Sequence, residues 1–99
     1  MDKEYAEELI EDLGSTYAIN GVAGIANLKI VYRGEGLFYH SAGRAFICPM
    51  SVAGDWVESK NIKKWHTGAK ITKDELATIK SDILHFFEGT QKMQINFIE

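Results

Sequence analysis

The stretch that decides the fold runs from Leu28 to Val52: Leu28-Lys29-Ile30-Val31-Tyr32-Arg33, then Gly34-Glu35-Gly36, then Leu37-Phe38-Tyr39-His40-Ser41, Ala42-Gly43 and finally RAFICPMSV (44–52). Leu28, Ile30 and Tyr32 alternate with Lys29, Val31 and Arg33, the period of two expected for a sheet with one drier face. Gly34-Glu35-Gly36 and Ala42-Gly43 have the length of hairpin loops, so the stretch predicts an antiparallel meander. Pro49 has no N–H for a ladder bond and is expected at an edge, a bulge or a strand end. Upstream, Asn20-Gly21 is a tight-turn signal, and residues 21–27, GVAGIAN, read either as loop or as close-packed strand. Downstream, Asp55-Trp56-Val57-Glu58 is a further short strand or a turn.

Helical patterns flank this block. In residues 2–13, Tyr5, Ala6, Leu9, Ile10 and Leu13 share one helical face and Gly14 follows as a left-handed terminator. Residues 59–71 form a polar connection. Thr72-Lys73-Asp74-Glu75 then fits a capping box, opening a helix to about Glu88 with Leu76, Ile79, Ile83, Phe86 and Phe87 on one stripe. After Gly89, Met93, Ile95 and Phe97 alternate with Gln94, Asn96 and Ile98 as a half-buried last strand. The expectation is one α+β domain over residues 1–99. An antiparallel sheet carries an N-terminal helix and a second helix before the last strand, both helices packed on one face.

A chain of 99 residues fits a single domain, since domains cluster at roughly 100–150 residues. Its 45% hydrophobic and 11% aromatic content disfavours disorder. One cysteine makes no internal disulfide, and no Cys/His cluster has zinc-site spacing. The start, MDKEYAEELIEDLG, is acidic with no apolar signal region, and no stretch approaches about 20 apolar residues. These features predict a cytoplasmic chain with no membrane partner.

No GxGxxG, Walker loop, HExxH or GxSxG occurs, so no catalytic residue, cofactor or metal is predicted. His40, His66 and His85 have no partner at a recognisable acid–base spacing. Cys48, inside AFICPM, reads as a small buried hydrophobe with no adjacent cation to activate it.

Charge is unevenly distributed. Residues 1–14 hold six acids and one lysine, while the remaining residues carry a small positive excess against a chain total of −3. Glu4, Glu7, Glu8, Glu11 and Asp12 fall opposite the apolar face of the first helix. The i,i+4 repulsions between Glu4 and Glu8, and between Glu7 and Glu11, each cost a few tenths of a kcal/mol. Such a surface suits a cationic partner, raising encounter rates and setting orientation. Tyr5, Tyr39, Trp56 and Trp65 are candidate aromatic anchors for it. An alternative places single-stranded nucleic acid on the Lys60–Lys73 segment, with lysines on phosphates and Trp65 stacking on a base. The net charge of −3 argues against direct nucleic-acid binding.

The order of elements and a few C-terminal positions carry a likeness. Trp65 is followed by Ile71-Thr72-x-x-Glu75, an Ile-rich helix with Ile79 and Ile83, Gly89 and the closing QINFIE. With the preceding hairpins, residues 28–98 resemble small bacterial immunity proteins of the polymorphic-toxin and contact-dependent growth inhibition type. The resemblance implies a cytoplasmic protein without catalysis that forms a tight complex with one toxin, often a nuclease. It carries over no particular binding residue.

Overall fold

The computed structural model describes residues 3–22 and 24–99; Asp2, within the expected first helix, lies outside them. Helix α1 spans Lys3–Glu11, and a 3-10 turn, Leu13–Ser15, leads to strand β1, Tyr17–Gly21. Strands β2 (Gly24–Val31), β3 (Gly36–Ser41), β4 (Arg44–Ser51) and β5 (Trp56–Glu58) follow. Helix α2, Lys73–His85, runs into a π turn, Phe86–Thr90, and the chain closes with β6, Asn96–Ile98. The six strands lie in the order β1-β2-β3-β4-β5-β6. The predicted α+β class and meander are present, with one addition: β6 pairs with β5 in parallel. That follows from the crossover through α2, since a helical connection returns a strand in its original direction.

Local chemistry sets the hairpins. Ala42 and Gly43 both have positive φ, 52° and 79°, the backbone that a two-residue loop needs to match strand twist. The β2–β3 connection is wider than expected, because Tyr32, Arg33 and Gly34 all adopt positive φ and Gly36 already belongs to β3. Asn20-Gly21 is not the turn it resembles: Gly21 pairs with Gly24, so both residues finish β1, and most of GVAGIAN is strand. Gly21 is needed there, since a Cβ would come within 2.8 Å of the Asp82 carboxylate. Pro49 sits beside Gly36 in β4, where β5, which pairs only with Met50 and Ser51, does not reach.

The two helices do not share a face. Leu28, Leu37, Tyr39, Phe46, Cys48 and Met50 form a core with Ile79 and Ile83 of α2 and with Phe86 and Phe87 of the π turn that follows it. Their neighbours in the alternation, Val31, Phe38, Ala45 and Ile47, pack instead against Ala6 and Leu9 of α1. Successive strand residues point to opposite faces, so the expectation of both helices on one side is corrected: α1 and α2 sandwich the sheet. Dry packing on both faces explains why five consecutive residues, Gly36 to His40, are buried. Among the described residues no helix is long and apolar enough to cross a membrane.

Candidate functional site

Helix α1 presents the charged face its sequence predicts. Ala6 and Leu9 are buried, Tyr5 and Ile10 half-buried, and Glu4, Glu7, Glu8, Glu11 and Asp12 are all exposed. Ala6 has no side chain beyond Cβ, which lets the helix settle close to Phe38 and Ala45. Among the described residues none of these five carboxylates takes part in an ion pair. The lysine-bearing segment belongs to the other layer: Ile62, Trp65 and Ile71 anchor it into the α2 core while Lys60, Lys63, Lys64 and Lys70 stay exposed. The acidic helix and the lysine-bearing segment therefore lie on opposite faces of the sheet.

The aromatic candidates divide. Tyr39 is 2% exposed and Trp65 3%, so neither is offered to a partner; they are core residues. Their rings form one cluster with Phe46, at 5.3 Å for Tyr39–Phe46 and 5.8 Å for Phe46–Trp65. Burial likewise takes from Trp65 the role of a stacking platform for a nucleobase. Trp56 is half-buried on β5, and Tyr5 lies 5.5 Å from the exposed Tyr32 ring.

His66 has a structural task. Its backbone N–H donates to the Ala45 carbonyl at 2.6 Å, and its Nδ1 accepts from the Ala45 N–H at 3.1 Å. One residue thus satisfies the β4 edge that β5 leaves open. His40, opposite Ala45, is 9% exposed with Nδ1 unpartnered, and burial followed by the nearby His66 lowers its pKa. Burial pushes the Cys48 thiol up to about 12, with Glu58 adding to the effect, so it is protonated at neutral pH. Among the described residues no group of three or more His, Cys, Asp or Glu side chains is placed to hold a metal ion.

A pocket of about 200 Å³ opens on the α2 side, between the start of β4 and the first turns of α2. Its apolar walls are Tyr39, Trp65 and Ile79, and its polar groups come from Ser41, Arg44, Asp74, Glu75 and Thr78. Arg44 lies over the Trp65 ring at 4.4 Å and its Nη1 is 2.8 Å from Glu75 Oε2. Glu75 Oε1 accepts from the Thr72 N–H at 2.9 Å while Thr72 Oγ1 accepts from the Glu75 N–H at 3.2 Å, completing the predicted capping box. The Thr72 N–H, then Arg44, hold the Glu75 carboxyl below the usual range, with a smaller pull from the Trp65 N–H. That indole N–H is itself buried with no partner at hydrogen-bond geometry.

Comparison with protein-family models, curated proteins and solved structures finds no match. The site is therefore read from its own geometry.

Sequence reasoning missed the Tyr39–Asp82 pair. Asp82 is 2% exposed and accepts from the Tyr39 hydroxyl at 2.7 Å and the Val22 N–H at 2.9 Å. Burial, then Asp82, raises the Tyr39 pKa. The signal was an acid at position 82 inside the stripe Ile79, Ile83, Phe86, where a charge needs a partner.

Proposed function

We propose that this chain is an immunity protein, a stoichiometric inhibitor that binds a cognate bacterial toxin and covers its active or substrate-binding surface. The toxin in this reading is a cationic nuclease, and the complex forms in the cytoplasm. One observation carries the proposal: five exposed carboxylates are unpaired among the described residues, four on a helix fixed to the sheet by Ala6 and Leu9 and the fifth, Asp12, directly after it. Repulsion between these acids works against the helix, so their concentration is better accounted for by a partner than by folding. Lysines and arginines that hold a nucleic-acid backbone in a nuclease are suitable counterparts. Long-range attraction supplies speed and orientation, and affinity requires buried contacts at the centre of the interface. Trp56 and Tyr5 are the aromatic anchors that remain after Tyr39 and Trp65 are assigned to the core.

A toxin reading frame directly upstream of the chain's own is the first expected observation. With that toxin domain in hand, the quadruple variant Glu4→Gln, Glu7→Gln, Glu8→Gln, Glu11→Gln is compared with the parent by stopped flow at two salt concentrations. Association should slow about tenfold or more at low salt and lose most of its salt dependence, while the urea midpoint stays unchanged or rises slightly. Identical association kinetics in the two proteins would remove α1 from the interface and the proposal with it.

A further inference from the structure

Alternate residues of an edge strand turn their backbone N–H and C=O groups away from the sheet. The β1–β2 hairpin closes on the pair Gly21 and Gly24, so Tyr17, Ile19 and Gly21 bond to β2 while Ala18 and Asn20 face outward. The same alternation, counted from the Ser41–Arg44 pair, turns Ala45 outward on β4, and there both of its groups are taken by His66. Pro49, on that same edge, has no N–H to offer. At the far side of the sheet β6 spans only Asn96–Ile98. β1 has no such protection. It is paired on one side only, and among the described residues nothing bonds to the backbone of Ala18 or Asn20 from the other. The N–H groups that frame this window are engaged, Thr16 with the Leu13 carbonyl and Val22 with Asp82. Neither helix covers it, since Tyr17 on the α2 face is exposed, as are Ala18 and Asn20 on the other face.

Sheet edges are ordinarily kept from pairing with other chains by lysines, prolines or bulges. No charged residue and no proline occurs between Asp12 and Lys29, and β1 pairs with β2 without a bulge. Tyr17, Val22 and Ile25, around this edge, are each more than half exposed. An uncharged strand has nothing to attract a charged partner and nothing to repel its own copy. Its register also matches itself. We infer that β1 pairs antiparallel with β1 of a second copy, about a two-fold axis at Ile19. Ala18 then exchanges both backbone bonds with Asn20 of the partner subunit, and Asn20 does so with the partner's Ala18. Ile19 meets the partner's Ile19, and Tyr17 lies opposite the partner's Gly21, contacts that remove apolar surface from water. The two α1 helices lie on the same face of the joined sheet, each over Phe38, Ala45 and Ile47 of β3 and β4. Strand spacings of about 4.8 Å put them on the order of 24 Å apart, well beyond a Debye length of about 8 Å. The acidic faces stay open, and the inference does not rest on the toxin-binding proposal.

Sedimentation equilibrium of the full chain between about 10 μM and 1 mM should show a monomer passing to a dimer, with a Kd on the order of 100 μM for so small an interface. In ¹⁵N spectra over the same range, the amides of Ala18 and Asn20 should move more than those of Tyr17, Ile19 and Gly21. A mixture of ¹³C-labelled and unlabelled chain should give an intermolecular Hα–Hα contact at Ile19, which fixes the register. Asn20→Lys, an exposed substitution that puts a charge on the edge, should weaken association at least tenfold. Ala18→Pro removes only an outward N–H and should leave the chain monomeric, with the resonances of α2 preserved. Val52→Lys, at an exposed apolar position outside β1, should dimerise like the parent. A chain that stays monomeric at 1 mM would assign the open edge to an extended segment of another protein and overturn the inference. So would full dimerisation in Asn20→Lys, or an equal loss in Val52→Lys.

Discussion

His40 and His66 meet around Ala45, and the burial of His40 there matters to the fold at the scale of single residues. His66 Nδ1 accepts the Ala45 N–H, and His40 is buried with an unpartnered Nδ1. Burial is the main cause that lowers the His40 pKa below 6.5, and the neighbouring His66 acts in the same direction. The unfolded chain therefore binds more protons than the folded one just below pH 6.5. Stability from this group is complete above that value and is lost as pH falls from 6.5 through the folded-state pKa. The urea midpoint should drop between pH 7.5 and 5.5, and His40→Gln should flatten the slope. A midpoint that does not move across this range would show that the His40 imidazole is not held neutral by the fold. The burial of Tyr39 and Trp65 belongs to this scale too. An aromatic residue in a strand pattern reads equally as anchor or core. The unbroken run Leu37-Phe38-Tyr39 was the available hint that β3 is covered on both sides.

At the scale of elements, α2 is where local chemistry and packing agree most closely. Its start is specified by Thr72 and Glu75, each satisfying the other's backbone N–H, and its buried face by Ile79 and Ile83. Glu75 does two jobs, since its second oxygen holds Arg44 over Trp65. Thr72→Ala removes the acceptor for the Glu75 N–H and should cost about 1 kcal/mol by urea denaturation. It should also shift the Trp65 indole resonance, because the Glu75 carboxylate loses its fixed position. A loss confined to stability, with that resonance unmoved, would separate the cap from the pocket. The first helix presents the opposite case. Its periodicity is clear, yet its charges oppose it, with Glu11 near the negative end of the dipole. Packing on Phe38, Ala45 and Ile47 is what holds it.

At the scale of the molecule, the sheet is a partition with a helix on each side. Because α1 covers Val31, Phe38 and Ile47, it is part of the core rather than an appended recognition arm. Deleting residues 1–12 should lower stability by about 4 kcal/mol or more, given roughly 1.5–3 kcal/mol for each large apolar side chain returned to water. The same deletion should create binding of a hydrophobic dye. A truncated chain with the parent's midpoint and no dye binding would mean that the α1 face of the sheet is stable without its cover. The opposite edge is closed by β6, which reaches β5 only after the chain has crossed the sheet through α2.

What the amino-acid order determined by itself is everything that depends on near neighbours. The periods of two and of 3.6, the Ala42-Gly43 turn, the capping box and the concentration of acids before Gly14 are all carried by residues a few positions apart. Only the tertiary structure decided which face each helix covers, that β6 runs parallel to β5, that Tyr39 and Trp65 are interior, and that Tyr39 finds Asp82 43 residues away. Those outcomes are set by which surfaces meet in space, and a one-dimensional pattern specifies a drier face without naming what will dry it.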